Sequence, residues 1–325
     1  MGILSGMKAA KAVRLQKAGN RTEAIRLYEE AFAEGVNDPR YLLPYALMII
    51  RDGQYQKARE FLVKHQKAPG MSPQQRTELL VYYATCCLRL GNVEKGISTL
   101  EAQFRKAETG LIYQTLGYMY VEKYDLANKP DFAAMAAEAA AAGETEETAG
   151  ESAEVSDGTA GDAAGENAGA ADTGDAAGES AADAGAGDSA GENAGESGGA
   201  SDETGAVKKT PEEEWNEGAD KAEEFIRKSI EYDDEDAICL DNLGEFLYRA
   251  RGDKAGAKEW FDKAIELKPG QIDTLYFLSR YDLEKGDKKA ALEKLEKAAA
   301  GRFSPLNYTS PEMIAREIEE VKEAL

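Results

Sequence analysis

Apolar residues recur along most of this chain at the spacing of an amphipathic helix, in stretches that end at a glycine. A glycine followed by a polar residue leads five similar stretches. These glycines are Gly19, Gly53, Gly91, Gly252 and Gly286, and the gaps within the two groups are 34, 38 and 34 residues. Glycine supplies the positive φ that ends a helix, and the polar residue after it suits a turn. The pattern predicts a repeated helix–turn–helix unit of about 34 residues.

The stretch after each of these glycines carries small and apolar residues at positions i, i+4 and i+7. This spacing places each trio on one face of a helix, where small side chains allow close packing. Two of the five trios are Ala24, Tyr28 and Ala31, and Ala257, Phe261 and Ala264. A second amphipathic stretch precedes most of the glycines, so each unit is predicted to be a helical hairpin.

The unit resembles the tetratricopeptide repeat (TPR), which has the pattern W-x2-L-G-x2-Y, then A-x3-F, then a closing proline. The stretch "YQTLGYMY" supplies Tyr113, Leu116, Gly117 and Tyr120, and "ELKPGQ" supplies Pro269. The resemblance covers nearly everything except the middle of the chain. It implies an all-α TPR-type solenoid of about six helical hairpins.

The middle of the chain breaks this pattern. Residues 164–197 contain no aromatic, basic or large aliphatic residue, and residues 130–205 carry 19 acidic and no basic residues. Such a segment cannot bury enough apolar surface to fold, so it is predicted to be disordered. The helix predicted at Leu111–Ala127 has no second helix directly after it. One begins after the acidic run, where Thr210 and Glu213 form a capping box.

We therefore predict that the acidic segment is an insertion inside repeat 4, between its two helices. The domain division that follows is repeats 1–3 and the first helix of repeat 4 at 1–129, the insertion at 130–209, the second helix of repeat 4 with repeats 5 and 6 at 210–309, and a capping helix at 310–325. In the capping helix, Ser310 is the expected N-cap, and the predicted apolar stripe consists of Ile314, Ile318, Val321 and Leu325.

The charge distribution narrows the classes of partner. The formal net charge is -22, and most of it belongs to the insertion, since residues 1–129 carry 19 basic and 13 acidic residues. Nucleic acid and anionic membranes need cations in place of their counterions, so neither is expected as a partner. The basic first third could instead prefer an acidic protein or peptide.

The sequence offers little for catalysis or metal binding. It has one histidine, His65, and three cysteines, of which Cys86 and Cys87 are adjacent. No zinc-ligand spacing and no phosphate-binding glycine loop is present. We predict that the chain is not an enzyme and that it has no cofactor and no metal. The first residues lack a signal-peptide pattern and no apolar run approaches about 20 residues, so a cytoplasmic location is expected.

The TPR resemblance implies that the first helices line a concave groove where a partner segment lies. Basic groove positions concentrate in repeats 1–3, whereas Asp241, Glu245, Asp273 and Glu284 come from repeats 5 and 6, so the groove is expected to be bipolar. The family's groove positions that we carry over as candidate peptide-binding residues are Arg40, Leu47, Arg51, Arg89, Tyr118, Tyr248, Arg249, Tyr276 and Arg280.

The function predicted from these features is a non-enzymatic scaffold or adaptor that binds a peptide or helical segment in the TPR groove. One alternative is a regulatory or co-chaperone-like role, in which the acidic insertion competes with an acidic partner. The insertion could also serve only solubility. An enzyme or accessory subunit with an unrecognised site is a third, more remote class.

Overall fold

The computed structural model describes residues 3–137 and 209–325, and no strand occurs in these two ranges. One compact unit comprises Met1–Asp131 and Thr210–Leu325, and a second comprises Phe132–Lys209, of which the described part is helical at 132–137. Residues 138–208 of the predicted disordered insertion lie outside the described ranges, and the prediction of disorder is wrong at 132–137, which are helical. The division into repeats and insertion therefore stays a prediction.

The first unit is built from helices that follow one another with short connections. In chain order they are α1 (Ile3–Lys17), α2 (Arg21–Ala33), α3 (Pro39–Arg51), α4 (Tyr55–His65), α5 (Pro73–Arg89), α6 (Val93–Phe104), α7 (Gly110–Tyr124), α8 (Pro211–Tyr232), α9 (Ala237–Glu245), α10 (Lys254–Leu267), α11 (Ile272–Glu284), α12 (Lys288–Ala299) and α13 (Pro311–Glu323). A π-helical turn at Phe246–Ala250 continues α9.

Neighbouring helices pack as hairpins, and neighbouring hairpins pack against each other. The pairs that are adjacent in sequence are α1 with α2, α3 with α4, α5 with α6, α9 with α10, and α11 with α12. Helix α7 packs against α8, although the acidic segment separates them in sequence. The predicted all-α solenoid of TPR type is confirmed, and α13 packs on α12 at its C-terminal end.

The turn glycines close the first helices as the sequence predicts. All five have positive φ, between 67° for Gly252 and 80° for Gly19 and Gly286. In four of the turns, the amide after the glycine donates to the carbonyl five residues back, as Asn20 does to Leu15 at 2.9 Å. This bond satisfies a carbonyl that the helix end would leave unpaired. The turn at Gly252 differs because the preceding helix ends in the π-helical turn.

The core lies between the helices of each hairpin and between neighbouring hairpins. Most residues of the five trios are buried, and Ala257, Phe261 and Ala264 are fully buried, whereas Gln103 of the third trio is half-buried. All three cysteines are buried as well, and burial raises the pKa of the Cys86 thiol to about 12. No helix among the described residues is long and apolar enough to cross a membrane.

Both predicted helix starts at the edges of this unit are confirmed. The Thr210 hydroxyl accepts a hydrogen bond from the Glu213 amide, and the Glu213 carboxylate accepts one from the Thr210 amide. The Ser310 hydroxyl accepts from the Met313 amide at 3.1 Å. The prediction that Leu325 extends the apolar stripe of the last helix is wrong. Helix α13 ends at Glu323, and Leu325 is 60% exposed.

Candidate functional site

A loop near the C-terminus lies on the face formed by the first helices of the hairpins. We call residues 300–310, which connect α12 to α13, the end loop. Arg89 at the end of α5 donates to two of its backbone carbonyls, that of Pro305 at 2.6 Å and that of Asn307 at 2.7 Å. The end loop therefore joins repeat 3 to the last repeat and separates the face into two cavities.

The first cavity, which we call the basic cavity, has a volume of about 460 Å³ and is lined by Arg21, Arg51, Arg89 and Arg302 together with the end loop. Arg21 forms an ion pair with Asp52 at 3.2 Å. Within the described ranges, the other three arginines have no carboxylate within ion-pair distance. Partial burial and the nearby charge of Arg302 lower the pKa of Arg51. A guanidinium stays protonated in proteins, so the basic cavity presents uncompensated positive charge.

The second cavity, which we call the acidic cavity, has a volume of about 470 Å³ and lies between α7, α9, α11 and the end loop. Its wall contains the carboxylates of Asp241, Glu245 and Asp273, and all three residues are buried. The exposed Lys268 and Arg302 also line it. Asp241 and Glu245 lie four residues apart on α9, which places them on the same face of the helix, and Asp273 lies at the start of α11.

Asp273 fixes the end loop to α11. One carboxylate oxygen accepts from the Thr309 amide and hydroxyl, at 3.0 and 2.7 Å. The other accepts from the Asn307 side chain at 2.6 Å and from the Tyr308 amide at 3.1 Å. Hydrogen bonds to a charged acceptor are stronger than those to a neutral one, so this contact orders the loop.

Arg249 is the centre of a buried ion network beside the acidic cavity. Its guanidinium donates to Glu245 at 2.8 Å, to Glu122 at 2.7 Å and to Asp125 at 2.7 Å. It also lies over the ring of Tyr308 at 3.9 Å from the ring centre. The Arg249 guanidinium therefore compensates three carboxylates from two repeats, and its contact with the Tyr308 ring holds the end loop.

Burial dominates the titration of the groups in this region. Burial and the nearby Asp273 carboxylate raise the pKa of Asp241 to about 7. Burial and the nearby Asp241 raise the pKa of Glu245, against the opposing effect of Arg249. Burial also raises the pKa of Tyr118. An additional cation near these carboxylates would oppose the shift, because it favours their charged forms.

Four of the nine groove residues carried over from the TPR pattern line a cavity. Leu47 and Arg51 line a small cavity of about 210 Å³ that also includes Arg302. Arg51 and Arg89 line the basic cavity, and Tyr118 lines the acidic cavity. The structure thus brings these residues to the same face as the end loop, and their role in binding stays a prediction.

The other five groove candidates contact their own chain. Arg40 pairs with Asp38 at the exposed start of α3, and Tyr248 packs on Phe277 with ring centres 5.0 Å apart. The remaining three are Arg249 in its ion network, Tyr276 beside the ring of Tyr308, and Arg280 in an ion pair with Glu317 of α13.

The TPR groove pattern does not predict two residues of the basic cavity. Arg21 lies at the start of a second helix, and Arg302 lies in the end loop, so neither occupies a groove position of the TPR pattern. The loop sequence "AGRFSPLNYTS" carries no helical periodicity. Its aromatic and asparagine residues are the sequence signal for an ordered loop, because aromatic side chains pack and asparagine side chains form hydrogen bonds within the chain.

Comparison with known proteins agrees with this architecture. Residues 17–103 match the family model of subunit 3 of the anaphase-promoting complex, or cyclosome. No curated relative matches the chain at a significant level. A thermophilic TPR protein of Thermus thermophilus is similar in structure, with a TM-score of 0.50 and 12% identity over 88% of this chain and 100% of that chain. The type IV pilus biogenesis factor PilW gives a TM-score of 0.51 and 12% identity, over 99% of this chain and 100% of that chain.

Proposed function

We propose that this chain, whose fold is that of tetratricopeptide-repeat proteins, acts as a scaffold or adaptor that binds an acidic segment of a protein partner at the basic cavity. The observation that carries the proposal is the group formed by Arg51, Arg89 and Arg302. These arginines line one cavity and have no carboxylate partner in the described ranges. The proposed role requires binding only and no bond-making chemistry.

The chemistry of the guanidinium group specifies the ligand. Arginine binds carboxylate oxygens in a planar, two-pronged geometry, and arginine is enriched at protein interfaces. Arg51 and Arg302 repel each other in the free protein, and a carboxylate placed between them would relieve that repulsion. The volume of about 460 Å³ accommodates a few side chains of a partner segment.

The acidic insertion is proposed to regulate the same cavity. Residues 130–205 carry 19 acidic and no basic residues and are covalently attached to the scaffold. Tethering gives such a segment an effective concentration of about millimolar at the cavity. It would compete with an acidic partner, and salt would weaken both interactions.

Fluorescence anisotropy with labelled twelve-residue peptides tests the binding proposal. We expect a poly-glutamate peptide to bind the full chain, and a poly-glutamine peptide of the same length to bind at least tenfold more weakly. The double variant Arg51→Glu/Arg302→Glu should lose at least tenfold in affinity for poly-glutamate, since two attractive charges become repulsive.

The matched control reverses two exposed arginines on second helices, Arg26→Glu and Arg227→Glu. Both side chains are about half exposed and pair with carboxylates of their own helix. This control has the same net charge as the cavity variant. Equal loss of affinity in the two double variants would show that overall charge, and not the basic cavity, determines binding.

Deletion of residues 143–205 tests the regulatory proposal separately. The deletion should increase the affinity for poly-glutamate, and the gain should be larger at 50 mM than at 200 mM salt. An affinity that the deletion leaves unchanged at both salt concentrations contradicts competition by the insertion and leaves the binding proposal standing.

A further inference from the structure

The acidic cavity places three buried carboxylates around one point. Asp241, Glu245 and Asp273 each offer an oxygen within 4.8 Å of the oxygens of the other two. Oxygens that share one Ca²⁺ at about 2.4 Å are at most twice that distance apart. The spacing therefore allows a single ion to reach all three groups.

The hydrogen bonds already made leave free lone pairs on two of these carboxylates. Asp273 accepts four hydrogen bonds, which uses the full capacity of its two oxygens. Asp241 accepts only one bond on each oxygen, from Thr274 and from the Gln271 side chain. Glu245 accepts from Arg249 on one oxygen. A carboxylate has about four lone-pair sites, so Asp241 and Glu245 retain acceptor capacity toward the cavity.

A second observation points to a ligand independently of the carboxylates. The Gln271 side-chain oxygen and the Tyr118 hydroxyl are buried and have no hydrogen-bond partner among the described residues. Gln271 is 8% exposed and Tyr118 is 4% exposed, and both line the acidic cavity. Buried polar atoms are paired in almost all proteins. The free Gln271 oxygen is an acceptor and needs a donor or a cation.

The charges around the cavity do not balance. Arg249 is the one buried cation beside these groups in the described ranges, and Glu122, Asp125 and Glu245 share it. Asp241 and Asp273 have no ion pair there. Lys268 and Arg302 line the mouth of the cavity but are exposed.

We propose that the acidic cavity is a binding site for a hard divalent cation, with Asp241, Glu245 and the Gln271 oxygen as ligands. The donor set contains only oxygen, which selects Ca²⁺, Mg²⁺ or Mn²⁺ over zinc and copper. Irregular ligands from two helices suit Ca²⁺ better than Mg²⁺, because Mg²⁺ demands near-octahedral geometry. Asp273 adds charge, and Tyr118, whose buried hydroxyl has no partner among the described residues, lines the same cavity.

Isothermal titration of the full chain with Ca²⁺ and, separately, with Mg²⁺ tests this site. We expect one Ca²⁺ per chain with a Kd below about 100 μM, and Mg²⁺ at least fivefold weaker. Weak binding of several Ca²⁺ ions by the acidic insertion would give a second phase in the titration, at higher Ca²⁺ concentration than the single tight site. Asp241→Asn, which keeps the shape of the side chain, should weaken the single tight site at least tenfold. The control Glu259→Gln neutralises an exposed acid on α10 and should leave it unchanged.

Gln271→Met provides a second variant that removes the free oxygen without changing charge, in case Asp241→Asn fails to fold. It should weaken Ca²⁺ at least threefold with an unchanged circular-dichroism spectrum. The proposal is overturned if the full chain shows no stoichiometric Ca²⁺ site, or if Asp241→Asn or Gln271→Met binds Ca²⁺ as tightly as the parent does. Butylammonium serves as a competing alkylammonium ion. Displacement of Ca²⁺ by an equal concentration of butylammonium would also overturn the proposal, because the cavity would then prefer an amine to a hard metal ion.

Discussion

The two ends of the face formed by the first helices differ in charge and in what covers them. At the N-terminal end, the basic cavity contains arginines that lack carboxylate partners in the described ranges. At the C-terminal end, Arg249, Tyr276 and Arg280 occupy equivalent groove positions but contact their own chain. The same repeat therefore supplies an open binding surface at one end and a closed structural network at the other.

The end loop and α13 make the contacts of Tyr276 and Arg280, whereas Arg249 is also held by carboxylates of α7 and α9. Tyr308 packs beside Tyr276 and under Arg249, and Asp273 binds the backbone of the loop. Glu317 of α13 then neutralises Arg280. A repeat position alone does not determine whether a side chain is free for a partner, because a non-repeat segment can cover it.

The largest expected effect comes from breaking the closed end at Arg249. Replacing Arg249 with methionine should lower the free energy of unfolding by about 3–5 kcal/mol, because three carboxylates lose their shared cation in a buried setting. Urea denaturation followed by circular dichroism measures this. The control Arg26→Met removes an exposed arginine with two carboxylate partners and should change stability far less, because solvent screens exposed ion pairs. Equal losses would contradict the difference between the two ends.

A smaller effect is expected where the end loop is attached to α11. Thr309→Val removes the hydroxyl that donates to Asp273 at 2.7 Å and should lower the free energy of unfolding by about 1.5–3 kcal/mol. Thr22→Val, on the exposed start of α2, makes the same change where the hydroxyl has no hydrogen-bond partner among the described residues, and it should be near neutral. If Thr309→Val unfolds at the same urea concentration as the parent, the loop is not held by this contact.

The smallest expected effect is a pH dependence of the free energy of unfolding that arises in the N-terminal repeats. Burial among Phe32 and Phe61 lowers the pKa of His65, whose ring contacts Asn37 at 2.9 Å. The unfolded state therefore binds a proton more readily, so the free energy of unfolding should fall as the pH drops below about 6.5, by about 1.4 kcal/mol for each unit of pKa lowering.

His65→Phe should remove this pH dependence, which urea titrations between pH 5 and pH 7 would measure. His65 is the one histidine in the sequence. Asp241, whose pKa burial raises to about 7, contributes with the opposite sign, because its folded state binds the proton more readily and so gains stability as the pH falls. A fall in the free energy of unfolding toward pH 5 that is as large in His65→Phe as in the parent would contradict the assignment of this effect to His65.

Sequence pattern predicts the hairpins because glycine turns and small residues act locally. The φ of Gly19 and the burial of Phe261 follow from requirements within one hairpin. The cavities depend on contacts over long separations, such as Arg89 with Pro305 and Asp273 with Thr309. Nothing in the periodicity of a repeat encodes where a non-repeat loop will lie. For the same reason, the groove positions of the repeat do not predict Arg302, although it lines both cavities.

Hydrogen–deuterium exchange of the full chain with and without the poly-glutamate peptide tests the central claim most directly. We predict that the peptide slows exchange at the ends of α3 and α5 and at residues 301–305, which surround the basic cavity, and leaves α8 and α10 unchanged. Slower exchange at α8 or α10 without any change around Arg51 and Arg302 would contradict the claim that the open end of the first-helix face binds an acidic segment.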